Sequence, residues 1–585
     1  MDSKPLQKVL SDLIDLSQKI AVHESESTND SVINLRTYLN LRKYDCSHLQ
    51  DDLTRLGLSS LGRSQAHVEA TFNAAITLLA MALGDEQSQM SKPRLSYDKA
   101  HRIMQHNRRI FSKSNDKTKI MITVPSNYDE SEGWFGNLSN VGVDLFRINT
   151  AHDSPKVWES MANGIMEERK RINKDLKIYV DLAGPKIRTA EIGLESPVLA
   201  IGAKKHNREF YLVPKNSQTV HSDDALPVVY AETDFYQKLH AKMRLQIVGA
   251  DNERYKAKVI EYSESKAKVS LKEKVKINEN SKIIADEEDQ YAVSPLEFLK
   301  IPNETRIFYG DKVLIRTEEI VERKEEYAEK YDAIVRCTLS EAGSLVKTGD
   351  HVFLDDGKIE LIIESVEESD IVCSVLTQKK NGVTIKSEKG INFPQSDIAV
   401  RALSDHDISL LPDVCRYADI IGISFAQTRE DIEQVIAELD RHGKKGEIGI
   451  VAKIETPKGV NNLPDILEAL IEYGHSGVMI ARGDLAIEIG YENLAYMQEE
   501  ILDLCLAAHM PVILATQVLE NKMKTNIPSR AEITDAAFAH KAECVMLNKG
   551  EYAIETIKIL TSIFHQMDRV FRKNKLLLNP AFQWK

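Results

Sequence analysis

The 585-residue chain is poor in several features that would mark out a protein class. No uninterrupted run reaches the roughly 18 apolar residues that a membrane-crossing helix needs. The opening MDSKPLQKVL also lacks the apolar stretch of a secretion signal. A cytoplasmic location without a membrane partner is therefore expected. Cysteine is scarce. The six residues at 46, 337, 373, 415, 505 and 544 form no CxxC pair and no metal-ligand spacing, and read as reduced thiols, several of them buried. Positive charge is in deficit too: a formal net charge of −13 leaves no general basic face, so no nucleic-acid partner is expected. A local cationic pocket for a small anion stays open. What is present, 42% hydrophobic and 28% charged residues, is the make-up of a soluble globular protein. The length corresponds to roughly two to four domains.

Two textures follow one another along the chain. In residues 1–112 the stretches LQKVLSDLIDLSQKIAV and HVEATFNAAITLLAMAL carry apolar residues at three- and four-residue spacing, which predicts an amphipathic helical region. From Lys119 short apolar runs alternate with helical stretches. They are KIMITVPS, VDLFRINTAH, KIYVDLAG, ADIIGISFA, IGIVAKIE, SGVMIARGD, PVILATQ and ECVMLNKG. Near-continuous apolar runs suit parallel strands buried on both faces. Eight strand–helix units predict a (β/α)8 barrel, with a doubly wound open sheet as the alternative, because counting strands does not show closure. The third unit is interrupted by alternating β sequence. RLQIVGADNERYKAKVIEYSESKAKVSL and HVFLDDGKIELIIESVEESDIVCSVL share one strand–turn rhythm, compatible with an old duplication. The predicted organisation is a helical region at 1–112, a barrel at 113–188 and 391–585, and an inserted β-rich domain at 189–390, placed to act as a lid.

Polar residues at the carboxyl ends of barrel strands face the site of such a fold. Here those ends hold Pro125, Arg147, Asn149, His152, Asp181, Lys186, Arg188, Ser424, Lys453, Glu455, Gly483, Asp484 and Thr516. Lys453 and Glu455 are two apart and so share a strand face. Asp484 ends the next strand and places a second carboxylate beside Glu455. Two hard oxygen ligands with room for water and phosphate oxygens make a site for Mg2+ or Mn2+. Arg147 and Lys453 add fixed positive charge for an anionic substrate. The backbone amides at Gly483–Asp484, opening a helix, suit a carboxylate.

These residues lie in stretches that resemble the motifs of the pyruvate kinase family: FRINTAHD, DLAGPKIRT, VFLDDGKIEL, KGINFP, AKIETPKG, MIARGDLAIE, LATQVLE and PSRAEITD, in the family's order. The resemblance runs from about residue 115 to about 570. It implies transfer of a phosphoryl group from phosphoenolpyruvate to ADP, giving pyruvate and ATP in glycolysis. Glu455 and Asp484 would hold the divalent metal. Lys453 would stabilise the transferred phosphoryl group and the enolate, Arg147 and Ser424 would hold phosphate, and Gly483, Asp484 and Thr516 would bind the substrate carboxylate. Catalysis would fall to Lys453, Arg147 and Thr516. Pro125, Asn149, His152 and Arg188 would contact the nucleotide and the monovalent cation. A homo-oligomer is compatible with the family.

The chain also departs from the family pattern. MLNKGE replaces a Met-Leu-Ser-Gly-Glu motif, TVPS shortens the loop after the first strand, the N-terminal helices are an addition, and the chain ends soon after the last barrel strand. The resemblance is thus to a divergent bacterial-type member without the C-terminal allosteric domain, and implies hyperbolic kinetics unresponsive to a sugar bisphosphate. Two of the four K+ ligands are replaced by Ala151 and Leu182, and Lys186 stands at a glutamate position. Lys186 is expected to act as a built-in cation beside Asp181 and Asn149, so that K+ is not required, with Arg188 reaching nucleotide phosphate. Two other readings are metal-dependent enolate or aldolase chemistry on a pyruvate-like substrate, and a catalytically silent scaffold barrel.

Overall fold

A computed structural model gives the fold. It describes residues 3–576 apart from 23–26, 86–89, 91, 114–116, 129–132, 193–198, 202–207, 216–226, 264, 279, 288–289, 299–303, 318–329, 397, 399–400 and 573–574. The chain divides into two units, residues 1–186 with 397–585, and residues 187–396.

The first unit is built on eight parallel strands: β1 (Lys119–Thr123), β2 (Leu145–Asn149), β3 (Lys177–Asp181), β4 (Ile420–Ile423), β5 (Gly449–Ile454), β6 (Ser476–Ala481), β7 (Val512–Ala515) and β8 (Cys544–Leu547). Their side chains are buried on both faces, as in the fully buried β5, which explains the near-continuous apolar runs. Ile120 pairs with Val545 and Met121 with Met546, so β1 meets β8 and the sheet closes. That closure excludes the open-sheet alternative. Inside the barrel Met121, Leu145, Tyr179, Ile420, Val451, Met479, Ile513 and Met546 pack as one cluster, joined by Ile110 and Phe111.

The helical N-terminal region comprises α1 (Ser3–Ile20), α2 (Asp30–Leu41), α3 (Ser47–Arg55), α4 (Val68–Leu83) and α5 (Tyr97–Asn107). Asn29 caps α2 and Ser96 caps α5, each accepting a backbone N–H of the first turn. The region belongs to the same compact unit as the barrel, residues 1–186 with 397–585. Leu13, Leu35, Leu53 and Phe72 share one core with Ile466, Leu470 and Ile501 of the barrel helices. Polar contacts fix the same interface. Arg36 makes two bonds to Glu468, at 2.7 and 2.8 Å. The Asn34 amide donates to the Ala507 carbonyl at 2.7 Å. The His509 ring lies between Ser31 Oγ at 2.9 Å and the Ala66 carbonyl at 2.7 Å. An amphipathic helix must bury its apolar stripe somewhere, and here the barrel's outer helices supply the partner. Among the described residues one helical stretch, Gln65–Leu83, is long and apolar enough by composition to cross a membrane. Its Val68, Phe72, Ile76 and Leu79 point into the shared core.

Among the described residues the second unit contains two larger β assemblies and two two-stranded sheets where the sequence suggested one β-rich domain. Seven strands between Glu209 and Phe298 close into a small barrel, and seven others, including Thr189–Ile192 and Lys312–Arg316, form a sheet. The two stretches of similar rhythm fall in different assemblies, each as a three-stranded antiparallel meander. All six cysteines are free, and five are buried.

Gly422 on β4 exists where a side chain has no room. A Cβ there would lie 2.0 Å from Tyr179 Oη and 2.5 Å from its Cζ. Gly422→Ala should therefore destabilise by about 1–3 kcal/mol, the cost of overpacking a filled core. In a Tyr179→Ala background the same change should cost little. Thermal melts of the four proteins check this double-mutant cycle, and an equal penalty in both backgrounds would place the cause elsewhere.

Candidate active site

The carboxyl ends of the strands gather a charged cluster. The Arg147 guanidinium on β2 donates to Asp181 Oδ2 through Nε at 2.8 Å and Nη2 at 2.5 Å, and to Thr123 Oγ1 at 3.0 Å. Lys453 Nζ on β5 lies 2.7 Å from Ser424 Oγ, 3.3 Å from Asp181 Oδ1 and 3.3 Å from Glu455 Oε1. Ser424 Oγ in turn donates to the Leu182 carbonyl at 2.7 Å. The turn after β3 approaches so closely that a Cβ on Gly184, at φ +66°, would lie 2.7 Å from that of Ser424. Lys453 and Glu455 share a face, as their two-residue spacing requires.

Burial and neighbours set the charge states together. Burial alone would raise the Asp181 pKa, but Lys453 and Arg147 outweigh it and hold the carboxyl below its ordinary value. Burial likewise opposes the charged form of Lys453, yet Asp181 and Glu455 lift its pKa above the usual lysine value. Glu455 moves up: desolvation is the largest cause, Asp484 adds like-charge repulsion, and Lys453 offsets only part of it. A divalent cation between Glu455 and Asp484 would relieve that repulsion, so the donor set fits one. Among the described residues no three His, Cys, Asp or Glu gather into a cage. Two carboxylates suit an ion of the Mg2+ kind, which draws its other ligands from water and substrate oxygens.

Backbone strain surrounds the same place. Phe425 has φ +55° and gives its N–H to Glu455 Oε2 at 2.6 Å. Thr516, a β-branched residue, has φ +67°, and its buried Oγ1 has no hydrogen-bond partner among the described residues. Arg482 braces that turn. It bonds Asp535 at 2.5 and 2.9 Å and donates to the carbonyls of Thr516 at 2.6 Å and Ala515 at 3.2 Å.

The structure brings together Arg147, Asp181, Ser424, Lys453 and Glu455, and links Asp484 to the set through Glu455. It corrects the expectation for Lys186. Its ammonium sits on Asp484 Oδ1 and Oδ2, at 2.9 and 3.0 Å, while Asp181 is held by Arg147 and Lys453. A long flexible stem reaches across the mouth, whereas Asp181 is already engaged from its own side. Asn149 Oδ1 is turned to the Ala151 N–H at 3.2 Å, not to Lys186. Pro125 is half-buried and His152 exposed, its carbonyl accepting from Trp158 Nε1 at 2.7 Å. Arg188 belongs to the second unit, where it donates to the Glu388 carbonyl at 3.0 Å. Sequence reasoning missed Thr123, Phe425 and the Arg482–Asp535 brace. Only the adjacency of RGD to a strand end hinted at the last.

A family model described as the barrel domain of pyruvate kinase matches residues 295–557. The span holds Ser424, Lys453, Glu455, Gly483, Asp484 and Thr516, whereas Arg147, Asp181 and Lys186 precede it. Pyruvate kinase of Thermococcus litoralis is 33% identical over 261 residues, 43% of this chain and 51% of that protein. Pyruvate kinase of Thermotoga maritima is 27% identical over 463 residues, 77% of this chain and 71% of that protein. Pyruvate kinase of Encephalitozoon cuniculi is 39% identical over 225 residues, 37% of this chain and 49% of that protein. The chain thus spans about half the length of the first and third of these relatives.

Asp181 is the main counter-charge of the buried Lys453 and the partly buried Arg147. Asp181→Asn should cost about 3–5 kcal/mol at neutral pH, the penalty of leaving buried charge uncompensated. Because its folded pKa is depressed, this stabilisation is present above the ordinary aspartate value of about 4 and is lost as pH falls through the folded value. The gap between wild type and mutant should accordingly narrow in unfolding curves below that pH. A gap that stays constant would show that Asp181 is not the charged partner.

Proposed function

We propose that this chain, whose barrel belongs to the pyruvate kinase family, transfers a phosphoryl group from phosphoenolpyruvate to ADP, giving pyruvate and ATP. The observation that carries the reading is the buried Lys453, charged and held against Ser424, Asp181 and Glu455 at the mouth of a closed barrel. Glu455 and Asp484 would hold Mg2+ or Mn2+, which when bound neutralises phosphoryl and carboxylate oxygens. Lys453 supplies fixed positive charge where the enolate oxygen develops. Its bonds to neighbours are already formed, so little reorganisation is needed at the moment of reaction. Arg147 adds a second cation for the phosphoryl group. Thr516, strained and with a free hydroxyl oxygen, is positioned to meet the substrate carboxylate together with the backbone of Gly483 and Asp484. Strain persisting under an arginine brace is the kind that accompanies function. Pro125, Asn149 and His152 remain the proposed nucleotide contacts of the first unit.

The activity is tested with purified protein, phosphoenolpyruvate, ADP and Mg2+, coupled to pyruvate detection. Lys453→Met should lower kcat by a hundredfold or more, about 3 kcal/mol, with a much smaller change in KM. Glu455→Gln should abolish turnover at ordinary Mg2+ while the melting curve is kept. Exchange of pyruvate protons without any need for nucleotide would favour enolate chemistry instead.

The reaction is further proposed to need no K+. Ala151 and Leu182 bring no side-chain oxygen, and the two oxygen donors that remain, Asn149 and Asp181, are already engaged by Ala151 N–H and by Arg147 and Lys453. Rates in Na+, K+ and tetramethylammonium at matched ionic strength should agree. A strong stimulation by K+ would overturn this.

A further inference from the structure

Asp484 is asked to serve two cations. On the reading that it and Glu455 hold a divalent ion, on which this inference rests, the ammonium of Lys186 lies on both oxygens that the ion would need, at 2.9 and 3.0 Å. A divalent ion of this kind sits about 2.0–2.1 Å from a carboxylate oxygen. An ammonium bonded to the same two oxygens would then face a doubly charged neighbour at close range. The two occupancies compete.

We propose that Lys186 is a positioning residue that holds Asp484 in the metal-free site and is displaced when the divalent ion arrives, so that it sets the metal affinity of the free protein. Three features support this. Asp484 stands in the first turn of the helix Arg482–Ile489, where the helix dipole favours an anion, and Lys186 completes its neutralisation. The Lys186 side chain keeps 21% of its surface exposed, so it has a way out to solvent that the deeply buried Lys453 lacks. Charge balance points the same way. Arg147, Lys453 and Lys186 match Asp181, Glu455 and Asp484, so that the cluster's own side chains are formally neutral. A divalent ion entering alone makes the cluster doubly positive, and an anionic substrate entering with it restores the balance. Lys186 therefore disfavours metal without substrate, and couples the two loadings.

The test is a Mn2+ titration of the full-length protein without substrate, with free Mn2+ followed by its electron paramagnetic resonance signal. Lys186→Gln should bind Mn2+ about tenfold more tightly than wild type, the weight of one partly buried ion pair that no longer has to be broken. Lys186→Met should do the same, and Lys186→Arg should stay near wild type. Circular dichroism melts establish that each variant is folded. Unchanged or weaker Mn2+ binding in folded Lys186→Gln and Lys186→Met would overturn the proposal, and make the contact a static support of Asp484. The underlying reading fails separately. If Asp484→Asn and Glu455→Gln leave Mn2+ affinity untouched in the wild-type and the Lys186→Gln backgrounds alike, the ion does not bind there at all.

Discussion

Arg147 and Lys453 meet Asp181 and Glu455 at the mouth of the barrel, and none of these four charges is tolerable there alone. A buried carboxylate or ammonium without a partner costs several kcal/mol and gives up its charge instead. Asp181 stays ionised because Arg147 and Lys453 face it, and Lys453 stays protonated because Asp181 and Glu455 face it. The members come from β2, β3 and β5, so the cluster exists only when those strands are locked in register. Arg147 stands beside Tyr179, and Tyr179 beside Ile420, two pairings that carry the sheet from β2 across β3 to β4. The fold must therefore be stable enough to carry an electrostatic arrangement that does little for stability itself. The apolar interior around Met121, Val451 and Met479 supplies that margin.

Much of this was legible in the sequence, and the limit has a physical cause. Strands such as GIVAKI are readable because burial on both faces leaves no polar alternation, and Lys453 with Glu455 because a period of two fixes their face. Closure was not readable, since it depends on Ile120 meeting Val545 from the far end of the chain. Lys186 shows the same limit at the level of one side chain. Its position at a strand end could be read, but its partner lies 298 residues away and is chosen by the reach of a flexible stem. The helical N-terminus gave its amphipathic faces away without naming what they cover. The Arg482–Asp535 pair was hidden for a related reason, because an arginine two residues from an aspartate at a strand end looks like a pocket cation until its own partner is seen.

Strain and charge are distributed differently around the site. Arg147, Asp181 and Lys453 lie on regular strands, Asp484 in a helical first turn and Glu455 directly after its strand, while Phe425 and Thr516, just beyond strand ends, have left-handed backbone. Each strained residue is held by a neighbour with a further role of its own. Glu455 accepts from Phe425 and also faces Lys453, and Arg482 donates to Thr516 and also pairs with Asp535. The backbone conformation is thus tied to the side chains that line the pocket. A rearrangement at Phe425 would reach Glu455 through a single hydrogen bond, and one at Thr516 would reach Asp535 through Arg482.

The insertion of residues 187–396 between β3 and β4 has a consequence during synthesis. At roughly 5–20 residues per second, the ribosome spends on the order of 10–40 seconds on that segment. For most of that time β1, β2 and β3 are made, yet the strands that flank them in the finished sheet, β8 and β4, are not. Three apolar strands wait with open edges, in the state most prone to pair with the wrong chain. The helices that precede them cannot shelter under their own partners either, because the barrel helices against which α2 docks also come late. The emerging chain therefore exposes those edges for as long as the insertion takes to make, a hazard that the stability of the finished barrel does not measure.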